Sequence, residues 1–135
     1  MRELRAVLDT APLLDLALGT GQNLGPGAKR LVKRAFGSGA VLGVPSVCLF
    51  EIAQLEERGR VKLRVPFDEW CDLVGASTGL RILSLDVGAV TEARALPALR
   101  DPFDRLIAGT AIALGVPLLS PDRRVAASGR LSVIW

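Results

Sequence analysis

At 135 residues the chain has the length of one domain, enough to bury a core without disulfide or metal staples. Half of it is hydrophobic and 4% aromatic, and 17 basic residues against 14 acidic ones leave a net charge of +3, too modest an excess to mark a nucleic-acid binder by itself. The lack of any histidine excludes Ser-His-Asp and Cys-His triads and histidine-ligated zinc, and no apolar run approaches the ~18 residues of a membrane span.

Ala6 to Asp9 reads as a short buried parallel strand, and Ala11 to Leu18 as a helix with Pro12 in its first turn. Gly19 to Gly27 is a glycine-rich loop. A basic amphipathic helix is expected from Ala28 to Phe36, ended by Gly37-Ser38-Gly39. Val41 to Val44 is a second buried strand, after which Ser46 is expected to cap a helix running to Arg58 and stopped by Gly59. Pro66 to Ala76 is a helix, Arg81 to Leu85 a strand, and Asp86 to Ala95 a helix with an acidic cap. Asp101-Pro102 opens a helix to Leu114 with Gly115 as its C-terminal cap. Val116 to Leu119, Asp122 to Ala126 and Ser132 to Trp135 complete the chain as strand, helix and strand. Strands alternating with helices imply one α/β domain over residues 1–135, with a central parallel sheet of about five strands and helices on both faces.

The N-terminal apolar run is too short for a signal-peptide core, so a cytoplasmic protein is expected. Cys48 and Cys71 lack metal-ligand spacing and read as reduced, buried thiols. A mean hydropathy of +0.37 gives more apolar surface than one small core absorbs, which points to an oligomer or an obligate partner. Lys29, Arg30, Lys33 and Arg34 recur at helical spacing, and Arg58, Arg60, Lys62 and Arg64 form a second basic cluster. Both read equally as solvated faces or as surface for a polyanion.

The informative residues are four acids in four separate segments, each beside an apolar run: Asp9, Glu51, Asp104 and Asp122. Singly, Asp9, Asp104 and Asp122 are explained by helix capping and the positive end of a helix. Glu51 is not, since it shares a helical face with Val47, Cys48 and Leu55. In an open parallel sheet ligands bind beyond the carboxyl ends of the strands, and all four acids can converge there. Two carboxylates about 4 Å apart repel by roughly 4 kcal/mol at an effective dielectric near 20, so such a cluster is unfavourable unless a hard divalent cation binds it.

These segments resemble a known family. Val7-Leu8-Asp9-Thr10, Phe50-Glu51-Ile52-Ala53, Asp101-Pro102-Phe103-Asp104-Arg105-Leu106-Ile107-Ala108 and Leu119-Ser120-Pro121-Asp122-Arg123-Arg124 are similar to the four acidic motifs of PIN domains, and among these to the VapC-type toxins of bacterial type II toxin–antitoxin systems. The resemblance implies a PIN-like fold and an endoribonuclease that uses Mg²⁺ or Mn²⁺. It also implies a homodimer and a cognate antitoxin that covers the active site. Asp9, Glu51, Asp104 and Asp122 match the family's catalytic and metal-binding quartet, with Thr10 and Asp101 as supporting residues. The chain departs from the family pattern at Ala11, where His or Ser is frequent, and at Leu99, where His is frequent.

On this reading Asp9, Glu51 and Asp104 hold the ion, Asp122 completes the site, and Arg105, Arg123 and Arg124 contact RNA phosphates. Two other classes compete. A non-catalytic binding module on the same fold would keep the acids for a metal or a partner. A phosphatase would use Asp9 as nucleophile, although the second Asp expected two residues later is Ala11.

Overall fold

The run Leu4–Leu8 forms the first strand, β1, in which Ala6, Val7 and Leu8 are wholly inaccessible to solvent. Neighbouring residues of a strand point to opposite faces, so a strand with three consecutive buried residues is covered on both sides, as parallel sheets require. The computed structural model describes residues 2–19 and 21–135; Thr20 of the expected glycine-rich loop lies outside them. After β1 come α1 (Thr10–Leu18), α2 (Pro26–Gly37), β2 (Val41–Pro45), α3 (Ser46–Glu57), α4 (Phe67–Ala76) and β3 (Leu80–Leu83). The chain continues through α5 (Val87–Arg94), α6 (Pro102–Leu114), β4 (Leu118–Leu119), α7 (Arg123–Ala127) and β5 (Val133–Ile134).

The five strands form one sheet in the order β3-β2-β1-β4-β5, and every pairing is parallel. Val7 lies between Gly43 on one side and Leu118 on the other. The chain first moves outward from β1 through β2 to β3, then returns to β1's other edge with β4. The reversal of strand order therefore falls between β1 and β4, and its crevice opens beyond Leu8 and Leu119.

Several element boundaries differ from the sequence expectation for local reasons. Pro26 occupies the first turn of α2, where its missing N–H costs nothing, so this helix begins two residues earlier than Ala28. Ser46 is the first helical residue of α3 and not its cap; Pro45 holds the cap position without a side-chain hydrogen bond. Asp9, Asp86 and Asp122 are excluded from strand and helix alike, because each is an N-cap whose carboxylate accepts a backbone N–H of the following turn.

On α2, Ala28, Val32 and Ala35 face the core while Lys29, Arg30, Lys33 and Arg34 are exposed. Helix α6 is the most deeply buried, with Ile107 to Ala111 inaccessible. Its Gly109 allows α5 to approach closely, since a Cβ there would lie 2.5 Å from the Ala89 carbonyl oxygen. Gly115, at φ 68°, ends α6 as expected. Both cysteines are free thiols; Cys48 is buried with its Sγ 3.6 Å from the Leu8 carbonyl oxygen, and Cys71 is half-buried.

Candidate active site

Beyond the carboxyl end of β1, Asp9 caps α1 and is nearly inaccessible. Its Oδ1 accepts the Thr10 backbone N–H at 2.8 Å, and its Oδ2 accepts the Ser120 hydroxyl at 2.6 Å. Ser120 follows β4 directly and is 1% exposed; its Oγ also accepts the Asp122 N–H at 3.0 Å. One hydroxyl thus joins the two segments that flank the crevice at the strand-order reversal.

Thr10 is also buried, and its Oγ1 donates to Glu51 Oε1 at 2.5 Å. This is the partner that the apolar neighbours of Glu51 required. Asp101 caps α6, its Oδ1 accepting the N–H groups of Phe103 and Asp104 at 2.8 and 3.2 Å. That cap aims the first turn of α6, and with it Asp104, toward the crevice. Asp122 caps α7 and pairs with Arg124, whose Nε lies 3.3 Å from Oδ1.

The electrostatics record this convergence. Burial, followed by the charges of Asp101, Asp9, Asp122 and Glu51, raises the Asp104 carboxyl to about 6. Burial likewise raises Asp9 above the ordinary carboxylate range, against the hydrogen bonds from Ser120 and Thr10; the charges of Asp122 and Asp101 add to the rise. Glu51 is raised by burial against its bond from Thr10, with Asp9 and Asp101 contributing. At Asp122 burial acts upward too, but the hydrogen bonds and charge of Arg124 outweigh it and hold the carboxyl below its usual value.

Among the described residues, no three His, Cys, Asp or Glu side chains are gathered closely enough to hold a metal ion as they stand. Each acid is turned to its own partner: Asp9 to Ser120, Glu51 to Thr10, Asp122 to Arg124. The donor set nevertheless fits a hard divalent cation. It consists of carboxylate oxygens alone, and among the described residues Asp9, Glu51, Asp101 and Asp104 have no cationic side chain within 4.0 Å.

The three arginines named from the sequence have different surroundings. Arg123 is exposed and makes no hydrogen bond or ion pair with the described residues. Arg124 is exposed beside Asp122. Arg105, expected among the RNA contacts, instead donates to the carbonyls of Ala93 and Arg94 at 3.1 and 3.4 Å. It adds to the Leu96 N–H on the Ala93 carbonyl and so caps the C-terminal end of α5. Ser120 was not singled out from the sequence at all. Its only signal there is a hydroxyl between an apolar strand and an acid, and its partner Asp9 is 111 positions away.

Comparison with known proteins bears on the family and the fold. Ribonuclease VapC22 of Mycobacterium tuberculosis is 36% identical over 86 residues, which cover 62% of this chain and 65% of that protein. The matched stretch thus falls just short of two thirds of the relative's length. The fold is similar to that in the crystal structure of VapBC2 from Rickettsia felis bound to a promoter DNA fragment, with a TM-score of 0.68, 14% identity, and 96% of this chain and 97% of the other covered. DNA-bound VapBC from Salmonella typhimurium gives a TM-score of 0.66 at 19% identity, covering 96% of each chain. FitAcB from Neisseria gonorrhoeae gives 0.54 at 16%, covering 95% of each. The family model for the PIN domain matches residues 6–131, and the chain belongs to the PIN domain family.

Proposed function

We propose that this protein is a metal-dependent endoribonuclease and acts as the toxin of a toxin–antitoxin pair. The observation that carries the reading is the set of mutually repelling carboxylates at the strand-order reversal, three of them raised and none of those three paired with a cation among the described residues. Such a cluster opposes folding and is retained for what it binds. The relative named as a ribonuclease and the neighbours named as VapBC complexes support the activity and the antitoxin.

Asp9, Glu51 and Asp104 would hold a Mg²⁺ or Mn²⁺ ion, with Asp122 completing the set. Such an ion supplies Lewis-acid stabilisation of phosphate charge and makes water a stronger acid. Ser120 and the Thr10 N–H hold the two oxygens of Asp9, and the Thr10 hydroxyl holds one oxygen of Glu51, each carboxylate oxygen keeping a lone pair for the ion. Asp101 orients the first turn of α6. Arg123 and Arg124, both exposed at the start of α7, would contact RNA phosphates, Arg124 from beside Asp122. Arg105 donates to the end of α5 through Nε and Nη2, so we place it behind Arg123 and Arg124 among the RNA contacts. With no His in the chain, proton transfer falls to a carboxylate or to water.

Partners follow from the surface. Phe50 is 58% exposed and Val87 80% exposed, and Leu85, Val90 and Leu114 are exposed as well. These apolar side chains favour a homodimer and contact with a cognate antitoxin. No helix among the described residues is long and apolar enough to cross a membrane.

Incubating purified, antitoxin-free protein with total cellular RNA tests the activity. Discrete fragments should form with Mn²⁺ or Mg²⁺ and not with EDTA. Intact RNA in the presence of folded protein and either ion contradicts the proposal.

A further inference from the structure

A groove of about 570 Å³ opens beside the acidic site, within the size range of about 300–1,000 Å³ typical of ligand clefts. Ala11 and Pro121 are among its lining residues. These residues directly follow Thr10 and precede Asp122 in the chain, so the groove adjoins the acidic site. Along it stand Trp135, Arg60 and Lys62. None of these three takes part in the chemistry described above.

Trp135 is fixed in place. Its carbonyl oxygen accepts the Gly27 N–H at 2.8 Å, and the indole lies against Gly25, where a Cβ would come within 2.6 Å of the indole Cδ1. Although seated on the start of α2, it remains half-buried and lines the groove. Arg60 and Lys62 are exposed on the segment after α3, and neither forms an ion pair with the described residues. The groove's one acidic side chain, Asp15, accepts the Asn23 side-chain N–H at 3.0 Å and the Asn23 backbone N–H at 3.2 Å. The groove therefore presents an indole and two cationic side chains without ion pairs among the described residues, against one acidic side chain that is turned to Asn23.

We infer that this groove binds the nucleotides of single-stranded RNA adjacent to the bond being cleaved, with a base stacked on Trp135 and the flanking phosphates on Arg60 and Lys62. The inference rests on the ribonuclease reading for the position of that bond. An aromatic platform beside a cationic track is the means by which proteins hold single strands without reading sequence. An acidic site alone repels a polyanion, and a cationic groove continuous with it offsets that repulsion. Apolar Leu14, Leu18 and Val61 in the walls would also suit a peptide. The cations and the direct continuity with Thr10 and Asp122 favour RNA.

The test measures fluorescence anisotropy of labelled oligouridylate and oligoadenylate with the Asp9→Asn protein in EDTA, so that binding is read without cleavage. The groove variants Trp135→Leu, Trp135→Phe and Arg60→Gln/Lys62→Gln are made in that background, and thermal melting confirms that each folds. Trp135→Leu should weaken binding about tenfold, the order expected for one lost stack, and Trp135→Phe should restore most of it. The double variant should reduce the slope of log affinity against log salt by about 1.4, for two lost phosphate contacts on a single strand.

Unchanged affinity and salt slope in all the variants overturn the inference, even where the wild-type protein cleaves RNA. A variant set that loses only affinity for a protein partner does the same and makes the groove a peptide site. If the variants lose oligonucleotide binding while the wild-type protein never cleaves, the groove stands as an RNA site and the ribonuclease reading falls.

Discussion

The Ser120 hydroxyl donates to Asp9 Oδ2 at 2.6 Å, and so ties the ends of β4 and β1 together across the crevice where the strand order reverses. It is a short bond to a carboxylate oxygen, and it acts against the burial that raises Asp9 above the ordinary carboxylate range. Ser120→Ala should therefore raise Asp9 further and leave its side chain free to turn. We predict a fall in cleavage rate of about 10- to 100-fold, the usual cost of losing a residue that orients a metal ligand. The rate at saturating metal is the measurement; activity within a factor of two of wild type would show that Asp9 needs no such support.

Asp104 gives the metal-free protein a characteristic pH dependence. Its folded-state value of about 6 lies above the ordinary 3.8 of an unfolded chain. The corresponding stability is complete at low pH and is lost as the pH rises through about 6, because the folded state then carries a charge it resists. The melting temperature in EDTA should consequently rise by several degrees between pH 7 and pH 5. Asp104→Asn should be more stable than wild type at pH 7 and should flatten this dependence. A divalent ion should oppose it, binding the ionised site more tightly as the pH rises. Equal pH profiles for wild type and Asp104→Asn would remove the carboxylate cluster as a source of instability.

How much of this was legible in the sequence differs from element to element. The strands and helices were readable because β1 and β2 are continuous apolar runs and α6 is bounded by Asp101-Pro102 and Gly115. The ends moved where a side chain took a capping role, as at Asp9 and Asp122, or where Pro26 fitted a first helical turn. The acids were visible as a set because each interrupts or adjoins an apolar run. Their partners were not. Ser120 and Thr10 meet Asp9 and Glu51 only through the sheet order, which local pattern does not encode. The surroundings of Arg105 are hidden in the sequence for a similar reason: the carbonyls it donates to lie 12 and 11 positions earlier in the chain, at the end of α5.

That assignment of Arg105 is itself testable. Arg105→Met removes the donors to Ala93 and Arg94 but keeps much of the side-chain bulk. It should cost about 1–2 kcal/mol of stability, measured by denaturant unfolding, and leave the salt dependence of RNA binding unchanged. Unchanged stability with a salt slope shallower by about 0.7 would instead return Arg105 to the phosphate contacts.

The approach of α5 to α6 makes a prediction independent of the chemistry. A Cβ on Gly109 would lie 2.5 Å from the Ala89 carbonyl oxygen and 2.9 Å from the Ala93 nitrogen, both backbone atoms that cannot rotate away. Gly109→Ala should destabilise the protein by about 1–3 kcal/mol despite alanine's better helix propensity. A gain in melting temperature would show that the two helices are free to separate.

The central claim is that the acids are retained for catalysis with a divalent ion, at the expense of stability. Asp9→Asn tests it most directly when RNA cleavage and melting temperature are measured on the same protein, in EDTA and with Mn²⁺. The account predicts no cleavage under either condition, a metal-free melting temperature equal to or above that of wild type, and a smaller stabilisation by Mn²⁺. A variant that cleaves RNA at the wild-type rate, or gains as much stability from Mn²⁺ as wild type does, would contradict it.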